Sequence, residues 1–413
     1  MVALRRPCCL PLATAGGRRA RGAALATATA IALAAAGPAR AADPPPPALS
    51  ARAAILVERD LGTTIYARRA DVPVPVASET KLMTAYVALA RAPLTRILTA
   101  LPYTPTGSET VAGLRAGQRL SVGALLSAML LPSGADAADA LAIGLAGSNA
   151  RFVGWMNRAA RALHLRETHF ATDVGLDTPG NYSSARDLAT LTAALLRNPF
   201  FARTVARSRA TLPTGLTVVN RNDLVGRYAF VVGVKTGHTN QAGYCLVGAG
   251  RQDGVNVISV ELGDPSEGTR DADTLALLRY GLSLYHTSAA VRPGRVYATL
   301  PVGGRPGERA ALVAARGVRL VLRHGARLDV YPTNLAELAR GPLRKGTVLG
   351  QLAVMLDGRA VARVPLVTRG PLAAPPARRA TTLLLAGGLT GGALLGLFVG
   401  CSLLVMFKRR GER

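Results

Sequence analysis

Apolar and polar positions along the chain predict a mixture of strands and helices. The short apolar run ARAAILVE at 51–58 ends in the turn sequence LGTT and predicts a strand. Strands are also predicted at 229–236 and 244–250, joined as a hairpin by GHTNQAG, and at 255–263. Ala/Leu-rich or amphipathic runs predict helices at 81–90, 121–147, 150–163, 183–198 and 270–286. Strands at both ends of this segment with helices between them indicate an α+β domain.

The pattern changes after the last predicted helix. Between 293 and 370, short β-branched runs alternate with glycines, which predicts a small all-β domain of hairpins. The sequence PPPPALS at 44–50 reads as an extended linker before the first strand. We therefore expect a larger α+β domain at 45–288, the β-rich domain at 293–370, and a stalk at 371–380.

Both ends of the chain carry the features of membrane targeting. Arginines precede the apolar run 23–36 and an A-x-A sequence follows it, so 1–41 is predicted to be a signal peptide cleaved after Ala41. The pattern leaves ordinary secretion and twin-arginine export open. Residues 381–407 carry no charge and are long enough to form one transmembrane helix. The basic tail 408–413 is then expected in the cytoplasm, with the bulk of the protein on the other side.

Small residues form a stripe along the predicted transmembrane helix. Gly388, Gly392, Gly396 and Gly400 recur at four-residue spacing, which places them on one side of the helix. Such a stripe can be a helix–helix packing face and would permit a homo-oligomer. An Ala/Gly-rich composition alone is the alternative explanation.

Composition excludes several classes of protein. The formal charge of +26 would favour nucleic acid, but the arginines are scattered and aromatic residues make up only 4%, so we predict no nucleic-acid partner. Outside the two membrane segments only Cys245 remains, so no intrachain disulfide is expected there. The histidines show no metal-ligand spacing, so we predict no metal and no cofactor. They are His164, His169, His238, His286 and His324.

Lysine is rare in a chain that is rich in basic residues. Of 50 Lys and Arg residues only four are lysines, namely Lys81, Lys235, Lys345 and Lys408. Unlike a guanidinium, an amine can lose its proton when burial or neighbouring charge lowers its pKa. Ser78 and Lys81 stand at i and i+3 near a predicted helix start, which places both on one face. We interpret them as a nucleophile and its base, with a capping serine beside a solvated lysine as the alternative.

The second rare lysine lies in the predicted strand sequence VGVKTGHT. Alternation puts Lys235 and Gly237 on one face, where glycine leaves room for another chain to lie close. An extended peptide could pair with the edge of this strand, and Thr236 could donate to its carboxylate. Between the two lysine motifs, LLPSGADAADALA places Ser133 at the opening of a helical run. The chain thus carries three spaced motifs.

The order S-x-x-K, serine-led helix start, K-T-G is that of penicillin-binding proteins and serine β-lactamases. More closely, the chain resembles the D-alanyl-D-alanine carboxypeptidases, the low-molecular-mass penicillin-binding proteins of peptidase family S11. The segments ASETKLMTAYVA, LLPSGADAADALA, GLDTPGNYSSARDLA and GVKTGHTNQAGYCLV carry the resemblance, which runs through about 48–286. The segment KGTVLGQLAVMLDG resembles their second domain. A β-lactamase-like catalytic domain at 45–288 and a small β-domain at 293–370 are implied.

The resemblance also implies a function and a place in the cell. Such an enzyme removes the terminal D-alanine from peptidoglycan pentapeptide stems through an acyl-enzyme, and β-lactams acylate the same serine because they mimic the dipeptide end. Together with the two membrane segments, this implies a single-pass protein of the bacterial cytoplasmic membrane with its catalytic domain on the periplasmic or extracytoplasmic side. The expected partners are the stem peptide, β-lactams and the membrane.

The resemblance implies a role for each matching residue. Ser78 would be the nucleophile and Lys81 its base, while Ser133, helped by Lys235, would pass a proton to the leaving amine. The backbone N–H groups of Ser78 and His238 would form the oxyanion hole. The substrate-binding residues would be Thr236, Gly237, His238 and Arg270, with Thr236 and Arg270 at the terminal carboxylate.

Three positions depart from the family pattern. The middle motif is normally S-x-N, and here its third residue is Ala135. The family asparagine holds the lysine and the substrate amide by hydrogen bonds, so its loss should cost roughly 1–3 kcal/mol unless a water or a neighbouring group replaces it. A second asparagine, usual in the family's F-x-N-x-x-G-L stretch, is replaced here by Thr172. The acidic residue that usually precedes the glycine of the K-T-G strand is replaced by Val232.

Other functions stay open at this point. A degenerate homologue could recognise D-Ala-D-Ala ends with little turnover, which Ala135 favours and the two retained lysines oppose. A β-lactamase would need a water-activating carboxylate, and no clear Glu-x-x-x-Asn segment supplies one. A D,D-endopeptidase is chemically possible. The third residue of the stem peptide, the oligomeric state and the ligand of the β-domain are not given by the sequence.

Overall fold

A computed structural model describes residues 43–107 and 109–374 of the chain. A short 3₁₀ helix, Ala77–Glu79, leads into the first α-helix. The helices are α1 Thr80–Arg91, α2 Val122–Leu130, α3 Ala135–Ala146, α4 Asn149–Ala162, α5 Ala185–Leu195, α6 Pro199–Val205 and α7 Glu267–Ser283. The strands of the first part are β1 Ala53–Glu58, β2 Thr63–Arg68, β3 Ile97–Thr99, β4 Arg119–Ser121, β5 Arg209–Thr211, β6 Thr217–Val219, β7 Val231–Thr239, β8 Gly243–Gln252 and β9 Val255–Asp264.

A five-stranded antiparallel sheet forms the centre of this part. Its strand order is β2-β1-β9-β8-β7, so β7 lies at one edge. Alternation sends Ala53 and Ile55 of β1 into one core and Ala54 and Leu56 into another. The first core lies against the helical layer, which includes α5, and the second lies against α7. Apolar residues on both faces of β1 are therefore explained by helices on both sides of the sheet.

Serine N-caps define the starts of two helices, of which α7 carries the site residue Arg270. Ser184 accepts from the Asp187 N–H at the start of α5. At the start of α7, Ser266 and Thr269 form a reciprocal capping box. The sequence predicted this last helix at 270–286, but it begins at Glu267 and ends at Ser283. Residues 285 and 286, which were predicted to be helical, instead begin the first strand of the β-rich part.

The predicted helix at 121–147 is wrong in its continuity. The structure has α2 and α3, separated by residues 131–134. Ser133 lies in that break with a left-handed φ of 68°. A single helix cannot contain a left-handed residue, so an apolar run that reads as continuous is divided at the serine of the middle motif.

The β-rich part follows α7. Its strands are β10 Tyr285–Val291, β11 Val296–Pro301, β12 Arg309–Ala314, β13 Val318–Arg323, β14 Leu328–Thr333, β15 Val348–Leu356 and β16 Arg359–Thr368. Five of them form an antiparallel sheet in the order β11-β12-β16-β15-β14, and β10 pairs with β13. The buried residues of this sheet form their own core, which includes Leu312, Leu352 and Leu366. The domain boundaries given above stay predictions.

Within residues 43–107 and 109–374 no helix has the length and apolarity needed to cross a bilayer. The predicted signal peptide (1–41), transmembrane helix (381–407) and tail (408–413) lie outside the described residues, as do the glycine stripe and most of the stalk.

Candidate active site

The nucleophile candidate is positioned by the junction between the 3₁₀ helix and α1. Lys81 lies one helical turn after Ser78, and its Nζ donates to Ser78 Oγ at 3.1 Å. The same Nζ donates to the carbonyl oxygen of Val174 at 2.7 Å. The i, i+3 spacing therefore does bring the two side chains together, and a carbonyl from another segment fixes the amine in place.

The surroundings of Lys81 favour the neutral amine. Burial lowers its pKa to about 8, although the carboxylates of Asp173 and Glu109 act in the opposite direction. An ordinary lysine, with a pKa of about 10.4, would hold its proton far more firmly at neutral pH. A lysine at about 8 is in part a free amine there, so it can accept the Ser78 proton.

Two non-glycine residues beside the site have left-handed backbone. Ala77, which precedes Ser78, has φ 48°, and Ser133 has φ 68°. Each such conformation costs of order 1–3 kcal/mol and is tolerated where the surrounding structure enforces it. Gly175 is required next to Ala77, because a Cβ on Gly175 would overlap the Ala77 carbonyl. Both active-site serines are therefore held in place by unfavourable backbone that the fold supports.

A carboxylate anchors the loop that forms one rim of the cleft. Asp136 is buried at the start of α3. It accepts hydrogen bonds from the backbone N–H groups of Ala112, Gly113, Leu114 and Ala137 at 2.7–2.9 Å. The loop residues just before these, Glu109 and Thr110, line the same cavity as Ser78 and Ser133.

The third motif forms the opposite wall. Thr236, Gly237 and His238 lie on the edge strand β7 and line the cavity. Within the described residues no strand pairs with the outer edge of β7, so its backbone groups can accept an extended peptide. Lys235 is buried behind this wall and donates to the Thr236 carbonyl at 2.7 Å. Burial lowers its pKa, and the charge of Lys81 lowers it further.

One expectation about the edge strand is wrong. Gly237 does not leave its space for an incoming chain, because that space holds the buried side chain of Glu79. A Cβ on Gly237 would overlap the Glu79 carboxyl group.

The guanidinium of Arg270, in the cavity lining, is already oriented. Arg270, on α7, is 3% exposed and lines the cavity. Its Nη2 lies 2.6 Å from Asp271 Oδ1 and 3.1 Å from Glu267 Oε1. Two carboxylates thus hold the guanidinium, which can offer a further N–H to the carboxylate of a bound peptide.

All the predicted site residues converge on one region, and seven of the eight line a single cavity. Comparison with known proteins identifies this arrangement. The Peptidase_S11 family model, described as D-alanyl-D-alanine carboxypeptidase, matches residues 39–266. The chain belongs to this family.

Relatives and solved structures agree with that assignment. The chain is 33% identical to D-alanyl-D-alanine carboxypeptidase DacA of Escherichia coli K12, across 78% of this chain and 84% of that protein. It is 27% identical to DacF of Bacillus subtilis, across 78% and 86%. Penicillin binding protein 5 of Haemophilus influenzae superposes with a TM-score of 0.58 at 28% identity, covering 80% of this chain and 99% of that one. The protein thus has the mixed α/β fold of penicillin-binding proteins with an added β-domain.

The departures from the family pattern have distinct structural settings. Ala135 is fully buried at the start of α3, and its N–H donates to the Thr110 carbonyl at 2.8 Å. The Val174 carbonyl gives Lys81 an acceptor that is independent of the missing amide. Thr172 Oγ1 accepts from the Gly175 N–H at 2.9 Å, so this position still shapes the segment beside the nucleophile.

Several residues that line the cavity were missed by the sequence analysis. They are Glu109, Thr110, Val174, Gly175, Leu176, Arg221, Thr239, Tyr244 and Glu267. A signal existed for Glu109, which is the single charged residue between Arg96 and Arg115. Val174 acts through its carbonyl, so its side-chain type gives no signal.

Proposed function

We propose that this protein removes the terminal D-alanine from peptidoglycan pentapeptide stems through a Ser78 acyl-enzyme. The observation that carries this proposal is the buried Lys81 amine at 3.1 Å from Ser78 Oγ, in a cleft walled by the edge strand β7. Family membership supports the reaction class.

Substrate binding would use the cleft from end to end. The extended stem peptide would pair with the outer edge of β7, and its terminal carboxylate would bind Thr236 and Arg270. Arg270 is held by Glu267 and Asp271 before the substrate arrives, which reduces the entropy lost on binding. The carbonyl carbon of the penultimate D-alanine would then lie over Ser78.

Acylation would follow by transfer of one proton. Neutral Lys81 takes the proton of Ser78, and Oγ attacks the carbonyl carbon. The backbone N–H groups of Ser78 and His238 stabilise the oxyanion, which is typically worth roughly 10²–10³ in rate per donor. Ser133, which lines the same cavity as Lys81, passes the proton to the departing D-alanine amine, helped by Lys235 behind the wall. Water then hydrolyses the ester and releases Ser78.

Acylation by a β-lactam tests the nucleophile directly. Opening of the lactam amide by Ser78 keeps the leaving amine attached, so the whole drug should add to the protein. Mass spectrometry of protein treated with benzylpenicillin is expected to show one adduct, on the peptide that contains Ser78. Ser78→Ala should show none. An adduct that persists in Ser78→Ala would show that another residue is the nucleophile.

Ala135 favours a second candidate function. A protein that binds D-Ala-D-Ala ends with little turnover would keep the cleft, Arg270 and the edge strand but could lack the amide that aligns the scissile bond. The two functions differ in D-alanine release: a binding protein would be acylated slowly and would release none.

We further propose export by residues 1–41 and anchoring by 381–407, which would place the site on the side of the membrane where peptidoglycan lies. The β-domain would hold the cleft at a fixed height above the bilayer, and the glycine stripe would allow pairing of the anchors. Protease treatment of intact spheroplasts should remove the catalytic domain. Protection of the whole chain would contradict the orientation.

A further inference from the structure

Glu79 is a buried carboxyl group that the proposed mechanism does not use. It lies between Ser78 and Lys81 in sequence, and its side chain is 0% exposed. Within the described part of the chain, neither carboxylate oxygen accepts a hydrogen bond from another residue. A buried carboxyl without such partners is costly, and so requires an explanation.

The neighbours of Glu79 come from four elements besides its own 3₁₀ helix, namely β7, β8, α1 and α7. Gly237 on β7 is in direct contact with its carboxyl group, and Cys245 on β8 is the register partner of Gly237. The cations that face Glu79 are Lys235 of β7, Arg270 of α7 and Lys81 of α1, with the strongest attraction from Lys235. Glu79 is therefore surrounded by the charged groups of the active site.

We propose that Glu79 is a positioning residue that fills the space over Gly237 and sets the charge carried by Lys235 and Lys81. The inference deepens the proposed function and rests on it. As a carboxylate, Glu79 stabilises an ammonium on each lysine; as a carboxylic acid, it does not. One proton moving from Lys235 to Glu79 converts an ion pair into an amine and an acid without changing the net charge.

The direction of the effect follows from the charges. Burial raises the pKa of Glu79, and the three cations oppose that rise. Removing the carboxylate takes away attraction from both ammonium groups, so the pKa values of Lys81 and Lys235 should fall. Activity that needs a neutral Lys81 and a protonated Lys235 should then peak at lower pH, with both limbs of the profile moved the same way.

The test is the pH profile of acylation by a fluorescent penicillin between pH 5 and 10. Glu79→Gln should move both midpoints to lower pH by about 1 unit. Glu79→Met, which has no polar atom to leave unpaired, should do the same if the glutamine variant folds poorly. Glu58→Gln is the matched control, because Glu58 is equally buried and lies on β1 outside the cavity lining. Its midpoints should equal those of wild type.

A uniformly slower rate with unchanged midpoints would overturn the proposal, because it would show that Glu79 acts through packing alone. Thermal unfolding separates this result from failure of the proposed function. The pKa of Glu79 is raised above its ordinary 4.5, so wild type should lose stability relative to Glu79→Gln as pH rises above that value. If wild type is never acylated, the proposed function fails. The Glu79 proposal is tested separately by unfolding: a difference in unfolding temperature between wild type and Glu79→Gln that does not change with pH would overturn it.

Discussion

The Nζ atom of Lys81 lies 3.1 Å from Ser78 Oγ in a setting that lowers its pKa to about 8. Acylation should therefore increase with pH along an acid limb whose midpoint lies near 8. Lys81→Arg keeps the positive charge but cannot release a proton, so its acylation rate should fall by roughly 10²–10⁴. Stopped-flow acylation with a fluorescent penicillin measures the pH dependence of wild type and the rate of Lys81→Arg. A rate that is flat from pH 6 to 9, or an active Lys81→Arg, would exclude this base.

Glu109 should tune the same lysine from across the cleft. Its carboxylate raises the pKa of Lys81, and Tyr103 Oη and the Thr106 N–H hold it at 2.6 Å each. Glu109→Gln removes this attraction, so the pKa of Lys81 should fall and the acid limb of acylation should move to lower pH. Glu167→Gln, at a carboxylate outside the cavity lining, is the control. A limb that moves to higher pH in Glu109→Gln would contradict the assigned effect.

The left-handed backbone of Ser133 predicts a separation of stability from activity. Ser133→Gly and Ser133→Ala both remove the hydroxyl and should lose most turnover. Glycine accepts φ 68° and alanine does not, so the glycine variant should be more stable by about 1 kcal/mol. Ser127, inside α2, is the control. There the order of stability should be reversed, with Ser127→Gly less stable than Ser127→Ala, since glycine destabilises a helix interior. Urea unfolding of the four variants gives the comparison; equal stabilities at position 133 would contradict strain there.

Much of the site was predictable because its chemistry depends on side-chain type and spacing. The i, i+3 pair of Ser78 and Lys81 and the strand that carries Thr236 were read from local patterns, and the structure has both. The break at Ser133 was not predictable from periodicity, since an Ala/Leu-rich run predicts one helix. Pro132 and Gly134 are the local signals for the break, and Ser133 between them has the left-handed backbone that divides the run.

The rest of the site depends on contacts between distant segments. Val174 reaches Lys81 across 93 positions of sequence and uses a carbonyl that every residue has. Glu79 occupies the space of Gly237 because the 3₁₀ helix packs on β7, a contact that no local pattern encodes. The position of β7 at the edge of the sheet also depends on distant segments, because the sequence predicts its hairpin with β8 but not the order of all five strands.

Arg270 should recognise the terminal carboxylate of the peptide. Arg270→Ala should lower kcat/KM by roughly 10- to 100-fold for a peptide that ends in D-Ala-D-Ala carboxylate. The loss should be much smaller for the same peptide with a terminal carboxamide, because the charge-assisted bond is absent there. Arg279→Ala is the control on the same helix, where the guanidinium instead packs over Tyr228. Equal losses for the two peptides would exclude a role in carboxylate binding.

Release of D-alanine from diacetyl-L-lysyl-D-alanyl-D-alanine is the most direct test of the proposed function. Purified wild type, Ser78→Ala and Ala135→Asn would be compared at equal concentration after their folding is confirmed by thermal unfolding. The account predicts release by wild type and none by Ser78→Ala, and any gain in Ala135→Asn measures what the missing amide contributes. Folded wild type that releases no D-alanine, while Ala135→Asn releases it, would contradict the account and indicate a protein that binds D-Ala-D-Ala ends without turnover.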